Sequence, residues 1–169
     1  MQVKSDTRYL DAAALLTVAT EDTLRKIREA APCVVLGNGG YYDMTLGQFG
    51  ALLQGAEPLD VFARGTYEDL TVFEYYTIAG LADFIKQYSE QLVKLTPQPD
   101  NGDVKPSTLP MSATEALLVF AREYFGLQSF AAAEKTTLAD LLIAKKDAYN
   151  KIMVQRAQIA AMKRKGTKR

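Results

Sequence analysis

Apolar residues recur along this chain in steps of three and four, and most of these runs follow a threonine or serine. The spacing marks amphipathic helices, and the hydroxyl residues mark where they start. Thr20 stands before Glu21 and Asp22, acids that a helix N-terminus favours through its dipole, and the run to Ala31 predicts a helix that Pro32 stops. Thr45-Leu46-Gly47-Gln48 fits a capping box and predicts a short helix to Gln54, closed by Gly55. A further box is Thr66-Tyr67-Glu68-Asp69. From it Leu70, Phe73, Thr77, Leu81, Phe84, Ile85, Tyr88, Leu92 and Leu95 follow one face, so 67–95 reads as one helix, with Gly80 as its point of bending. This is the expected central packing element.

Between Thr96 and Pro110 lie four prolines together with Asp100-Asn101-Gly102-Asp103, a composition that resists helix and strand alike. The segment is either a flexible connector or a surface arm laid against something else. Ser112-Ala113-Thr114-Glu115 then opens a helix lined by Leu117, Phe120, Ala121 and Tyr124, which Gly126 should close with Leu127 in the apolar follow-on position. The last helix begins near Thr137 and runs to about Lys165, before Gly166. Its seam is Leu138, Leu141, Lys145, Ala148, Ile152, Gln155, Ile159 and Met162, coiled-coil-like but broken by Lys145 and Gln155. At 1.5 Å per residue it spans about 40 Å, longer than a small domain is wide, so its end is expected to project.

Strand evidence is thin. Cys33 to Leu36, the turn Gly37-Asn38-Gly39-Gly40, and Tyr41-Tyr42 form a candidate minor hairpin. The expected fold class is therefore all-α: a bundle of five or six helices with that minor hairpin and a long basic C-terminal helix. Residues 1–95 form the N-terminal part of the domain, 96–110 the proline-rich connector, and 111–169 the C-terminal part ending in a basic arm.

Composition places the chain in the ordinary globular range, at 169 residues with 48% apolar and 24% charged. No stretch approaches the ~20 apolar residues a bilayer span needs, and the acids around the apolar run 12–19 are wrong for a signal peptide. No membrane contact is expected. Cys33, the lone cysteine, cannot form an internal disulfide, and its neighbours Val34, Val35 and Leu36 predict a buried, inert thiol.

The net charge of zero conceals a division. Residues 145–169 hold nine cations, Lys145, Lys146, Lys151, Arg156, Lys163, Arg164, Lys165, Lys168 and Arg169, against the single Asp147. That is a net of +8 for the end of the chain and −8 for the rest. Helix-dipole stabilisation accounts for two or three cations near a helix C-terminus, not nine. A basic arm beside an acidic body suits an acidic protein surface, such as another copy, or an anionic polymer.

Candidate chemistry is sparse. With no histidine in the chain, Ser-His and Cys-His nucleophiles and most zinc sites are excluded. The glycines at 37–40 lack the Lys-Ser/Thr ending of a phosphate loop and read as a tight turn. Of Tyr41-Tyr42 and Tyr75-Tyr76, one ring of each pair is expected in the core and the other partly exposed. No catalytic residue, metal or cofactor is expected.

The segment Asp43-Met44-Thr45-Leu46-Gly47-Gln48-Phe49-Gly50-Ala51-Leu52-Leu53, after a helix holding Asp22-Thr23-Leu24-Arg25-Lys26-Ile27, resembles small helical proteins of tailed bacteriophages, notably tail assembly chaperones and other morphogenesis or virion components. The resemblance covers about a third of the chain and implies an accessory that binds other phage structural proteins, in the host cytoplasm or the virion. The expected function is that of a non-enzymatic structural or assembly protein. It would self-associate or dock on partner subunits through Leu138, Leu141, Ile152, Ile159 and Met162, with the nine basic residues giving steering and register. The alternative is a non-specific nucleic-acid-binding or packaging accessory using the same arm.

Overall fold

A computed structural model describes Lys4, residues 6–97 and residues 111–166, the last three as backbone alone. The described chain is all-α. Its helices are α1 (Tyr9–Thr17), α2 (Glu21–Leu36), α3 (Leu46–Leu53), α4 (Pro58–Val61), α5 (Val72–Lys94), α6 (Ala113–Tyr124), α7 (Phe130–Ala133) and α8 (Leu138–Gly166), with 3-10 turns at Gly40–Asp43 and Tyr67–Asp69. Most of the connector, residues 98–110, lies outside the described residues.

The threonine and serine caps do what their spacing implies. Capping boxes close at Thr45 with Gln48, Thr71 with Glu74, and Ser112 with Glu115, and Thr20 and Thr137 accept from backbone N–H groups three residues on. At the end of α6, Leu127 N–H donates to Arg122 O at 2.8 Å and Gly126, at φ 64°, donates to Glu123 O, the paired bonds of a Schellman stop.

Several expectations need correction, the helix count first: eight helices form among the described residues where five or six were expected, and α1, α4 and α7 have no counterpart in the sequence reading. The long helix starts at Val72, not at 67: Thr66 opens only a 3-10 turn, and Leu70 then stays extended because its carbonyl accepts from Tyr9 N–H at 2.8 Å. Pro32 does not stop α2, which runs on to Leu36 and ends where Gly37 takes φ 126°. A proline within a helix removes one N–H and crowds the carbonyl four residues back, a cost that burial of Pro32 in the body offsets. Because the chain is still helical there, the hairpin does not form: among the described residues the only extended pairings are isolated bridges, Arg8 with Thr71 and Thr45 with Thr137. The same continuation turns Cys33 outward, so the thiol is exposed, not buried.

Those two bridges have a structural role. The first N–H groups of a helix have no partner within it. Here the N–H groups of Leu46 and Gly47 donate to Thr136 and Glu134 carbonyls, Leu138 N–H donates to Met44 O, and Tyr9 and Val72 donate to Leu70 and Thr7. The starts of α3 and α8, and of α1 and α5, are thereby tied together pairwise.

The main core joins both halves of the chain: Met44, Leu46 and Phe49 meet Leu81, Tyr88 and Leu92 of α5, Leu117 and Ala121 of α6, and Leu138, Leu141 and Leu142 of α8. A smaller cluster gathers Ala12, Leu16, Ile27 and Val72. Neither tyrosine pair divides into a core ring and an exposed one; all four are half-buried in ring contacts, Tyr41 on Phe84 and Tyr9 on Tyr75 among them.

Two phenols couple this core to pH. The Tyr41 hydroxyl donates to Thr77 O at 2.5 Å, and burial first, then the charge of Asp83, pushes its pKa from 10.0 up to about 12. Tyr88 is raised too, by burial and then by Tyr42. The folded state thus holds protons that the unfolded chain releases above pH 10. The phenols' contribution to stability is constant below that value and should fall as pH climbs from about 10 to about 12. Denaturant midpoints at about pH 9 and about pH 11 would show the decline, and Tyr41→Phe should make it shallower.

Candidate interaction surface

Charge and exposure meet on α8. Its first turns are core: Leu138 and Leu141 have no exposed surface. They are core residues, which corrects their expected role in binding a partner. Lys145, Ala148, Tyr149 and Ile152 continue that side half-buried, and Arg156 is the last residue of the helix with partial cover. It lies with Tyr149 and Met153 along a cleft of about 410 Å³ closed by Val93, Lys94 and Pro97 at the end of α5. From Ala157 to Lys163 every residue is exposed, with Ile159 at 51% and Met162 at 66%. Ten residues, 157–166, thus extend the helix beyond the body by about 15 Å.

The predicted basic residues divide by place. Lys146 is exposed, and Lys163 lies on the extension. Arg164 and Lys165 continue the helical backbone, while Lys168 and Arg169 lie outside the described residues. Lys151 binds Asp147 at 2.6 Å, one turn back, and the Tyr124 hydroxyl of α6 donates to the same carboxylate. Lys151 first and Tyr124 second hold the Asp147 carboxyl below its usual range, while Asp147 raises both partners. Both groups are exposed, so water screens the pair and it adds little to stability.

Lys145 is different. Its ammonium sits 4.0 Å from the centre of the Phe120 ring, and desolvation pushes its pKa down. Its stem also lines an apolar groove of about 290 Å³ with Phe49, Leu92 and Leu117. The seam reading treated it as a break; it is instead a snorkelling residue at the edge of the core.

Sequence reasoning missed a set of residues beside α8. Arg122 stacks its guanidinium 4.5 Å from the Phe130 ring, and Lys151 lies 5.8 Å from that of Tyr124. No local pattern joins these positions, because α6, α7 and α8 meet only in the folded chain. The glycine turn, by contrast, is as expected: the Asp43 carboxylate accepts from Gly39 N–H at 2.8 Å, occupying a donor that a phosphate would need.

Among the described residues no three His, Cys, Asp or Glu side chains cluster as metal ligands would, and no helix is long and apolar enough to cross a membrane. The chain matches no family model, no curated protein and no solved structure.

Proposed function

We propose that this chain is a non-enzymatic assembly or structural protein that associates with its own copies through the extension of α8, in the setting of a phage virion or its morphogenesis. The observation that carries this reading is the exposed pair Ile159 and Met162 on a helix end that leaves the body while the chain's positive charge climbs. Residues 157–163 of α8 are exposed, and a helix in water draws most of its stability from packing an apolar face. The −8 carried by the first 144 residues gives a copy the complementary charge, which sets orientation and encounter rate more than affinity. The phage setting rests on the resemblance of residues 43–53 to tail assembly chaperones.

Light scattering during size-exclusion chromatography tests it. The full chain should run as a multiple of 18.6 kDa, and a chain ending at Arg156 should run as a monomer with unchanged helix content. Raised salt should weaken association without abolishing it, since apolar contact is not screened. A full-length chain that stays monomeric at every concentration would remove the proposal.

A further inference from the structure

We infer that the end of α8 packs between two other copies of this chain, through unlike faces on its opposite sides, so that the assembly holds three chains or more. The inference rests on the self-association proposed above and gives its geometry. Eight of the eleven residues 152–162 are apolar, and Arg156 is the single charge between Lys151 and Lys163. Of those eleven only Ile152 and Arg156 have partial cover, and the rest are exposed. A helix on the surface of a folded body confines its apolar residues to one stripe, whereas one that is apolar all round belongs in an interior.

Placement round the helix separates two faces. Ile152 and Ile159 continue the side that Leu138 and Leu141 turn to the core, and Met162 stands beside them. Met153, Val154, Ala157, Ala160 and Ala161 follow the spacing i, i+1, i+4, i+7, i+8, which gathers them on another face. Ala157 and Ala161 each lie two residues from Ile159, which puts them about 160° round the helix from it. Val154 leads this second face at 57% exposed.

A pair of copies related by a two-fold axis covers one face and leaves the other in water. Its length is also against it: a single stripe about 15 Å long buries far less than the roughly 800 Å² per partner of a stable interface. Contact on both sides uses each helix twice. A further copy is the occupant that fits, because every copy carries both faces: the bulky Ile159 and Met162 of one meet the low alanine face of the next. Such a contact joins unlike surfaces, so it closes into a ring where the rotation between copies allows and otherwise grows as a filament.

Analytical ultracentrifugation of the full-length chain and of two double variants decides the matter. The unaltered chain should sediment as three copies or more. Ala157→Gln with Ala161→Gln obstructs one face, and Ile159→Gln with Met162→Gln strips the other; each double variant should sediment as a monomer, because every junction needs one face of each kind. Mixed in equal amounts, the two variants should form a pair and nothing larger, since only one intact junction is then available. All four positions are exposed and glutamine is a good helix former, so both variants should keep the fold, which circular dichroism checks. A chain that pairs and goes no further, an assembly that survives Ala157→Gln with Ala161→Gln, or a mixture that stays monomeric would overturn this inference while leaving self-association in place. A full chain that is monomeric at every concentration would overturn both.

Discussion

Tyr88→Ala should cost about 3–5 kcal/mol, enough to leave much of the protein unfolded if its stability is at the low end for a domain of this size. Tyr88 has no exposed surface and is the largest fully buried side chain. Its ring meets Phe49 at 5.2 Å and Phe84 at 5.6 Å, so it joins α5 to α3 and to the next turn of its own helix. Its hydroxyl donates to Leu138 O at 2.7 Å, the first residue of α8. Alanine would remove the ring and leave a cavity between three helices that cannot all collapse into it. Tyr88→Phe keeps the ring and removes only the hydrogen bond, and should cost about 1 kcal/mol. Urea unfolding followed by circular dichroism separates the two. Should the alanine variant lose less than about 1 kcal/mol, the core is not where this account places it.

Gly80→Ala should destabilise by about 1–3 kcal/mol, against the sign that helix propensity gives. In the interior of an exposed helix the change from glycine to alanine gains about 1 kcal/mol. Here a Cβ on Gly80 would stand 2.6 Å from the Tyr41 hydroxyl oxygen. That oxygen is the tip of a side chain, but not a free one: it donates to Thr77 O, and its ring stacks on Phe84 at 4.7 Å. The methyl group must therefore break the hydrogen bond or displace the ring. Because the next Tyr41 atom lies at 3.7 Å, Tyr41→Phe should accommodate the methyl and recover most of the loss. A double-mutant cycle in urea would show strong coupling between the two sites. Additive costs would show that Gly80 is merely a flexible point in α5, the bending role that the sequence suggested.

Helix positions were legible wherever the decisive contacts are local. Thr45 with Gln48, Ser112 with Glu115, and the stop at Gly126 and Leu127 all act within one turn, and each was readable from its residues. The start of α5 was misread because two threonines each have an acid three positions on. Thr66 does engage Asp69, yet Thr71 opens the helix, since the pairing of Leu70 and Val72 with Tyr9 and Thr7 holds the chain extended between them. Pro32 was misread for a related reason: the local cost is real, but packing of the surrounding turn against Gly40–Asp43 overrides it. The interaction surface was half visible. Basic residues can be counted, and the arm's charge needs no structure. That Leu138 and Leu141 are core while Ile159 and Met162 are exposed cannot be read from a periodicity that runs through all four.

By itself, then, the sequence determined that the chain is helical, where α3, α6 and α8 begin, and that its charge is gathered at one end. Caps, stops and amphipathic periods act over about four residues, and the energies involved are written in neighbouring side chains. Only the tertiary structure decided how far α8 stays covered and which rings of α6 and α7 stand beside its lysines. Both depend on where other helices run out of length, because burial is set by what lies across the interface, not by the residues that precede and follow in the chain.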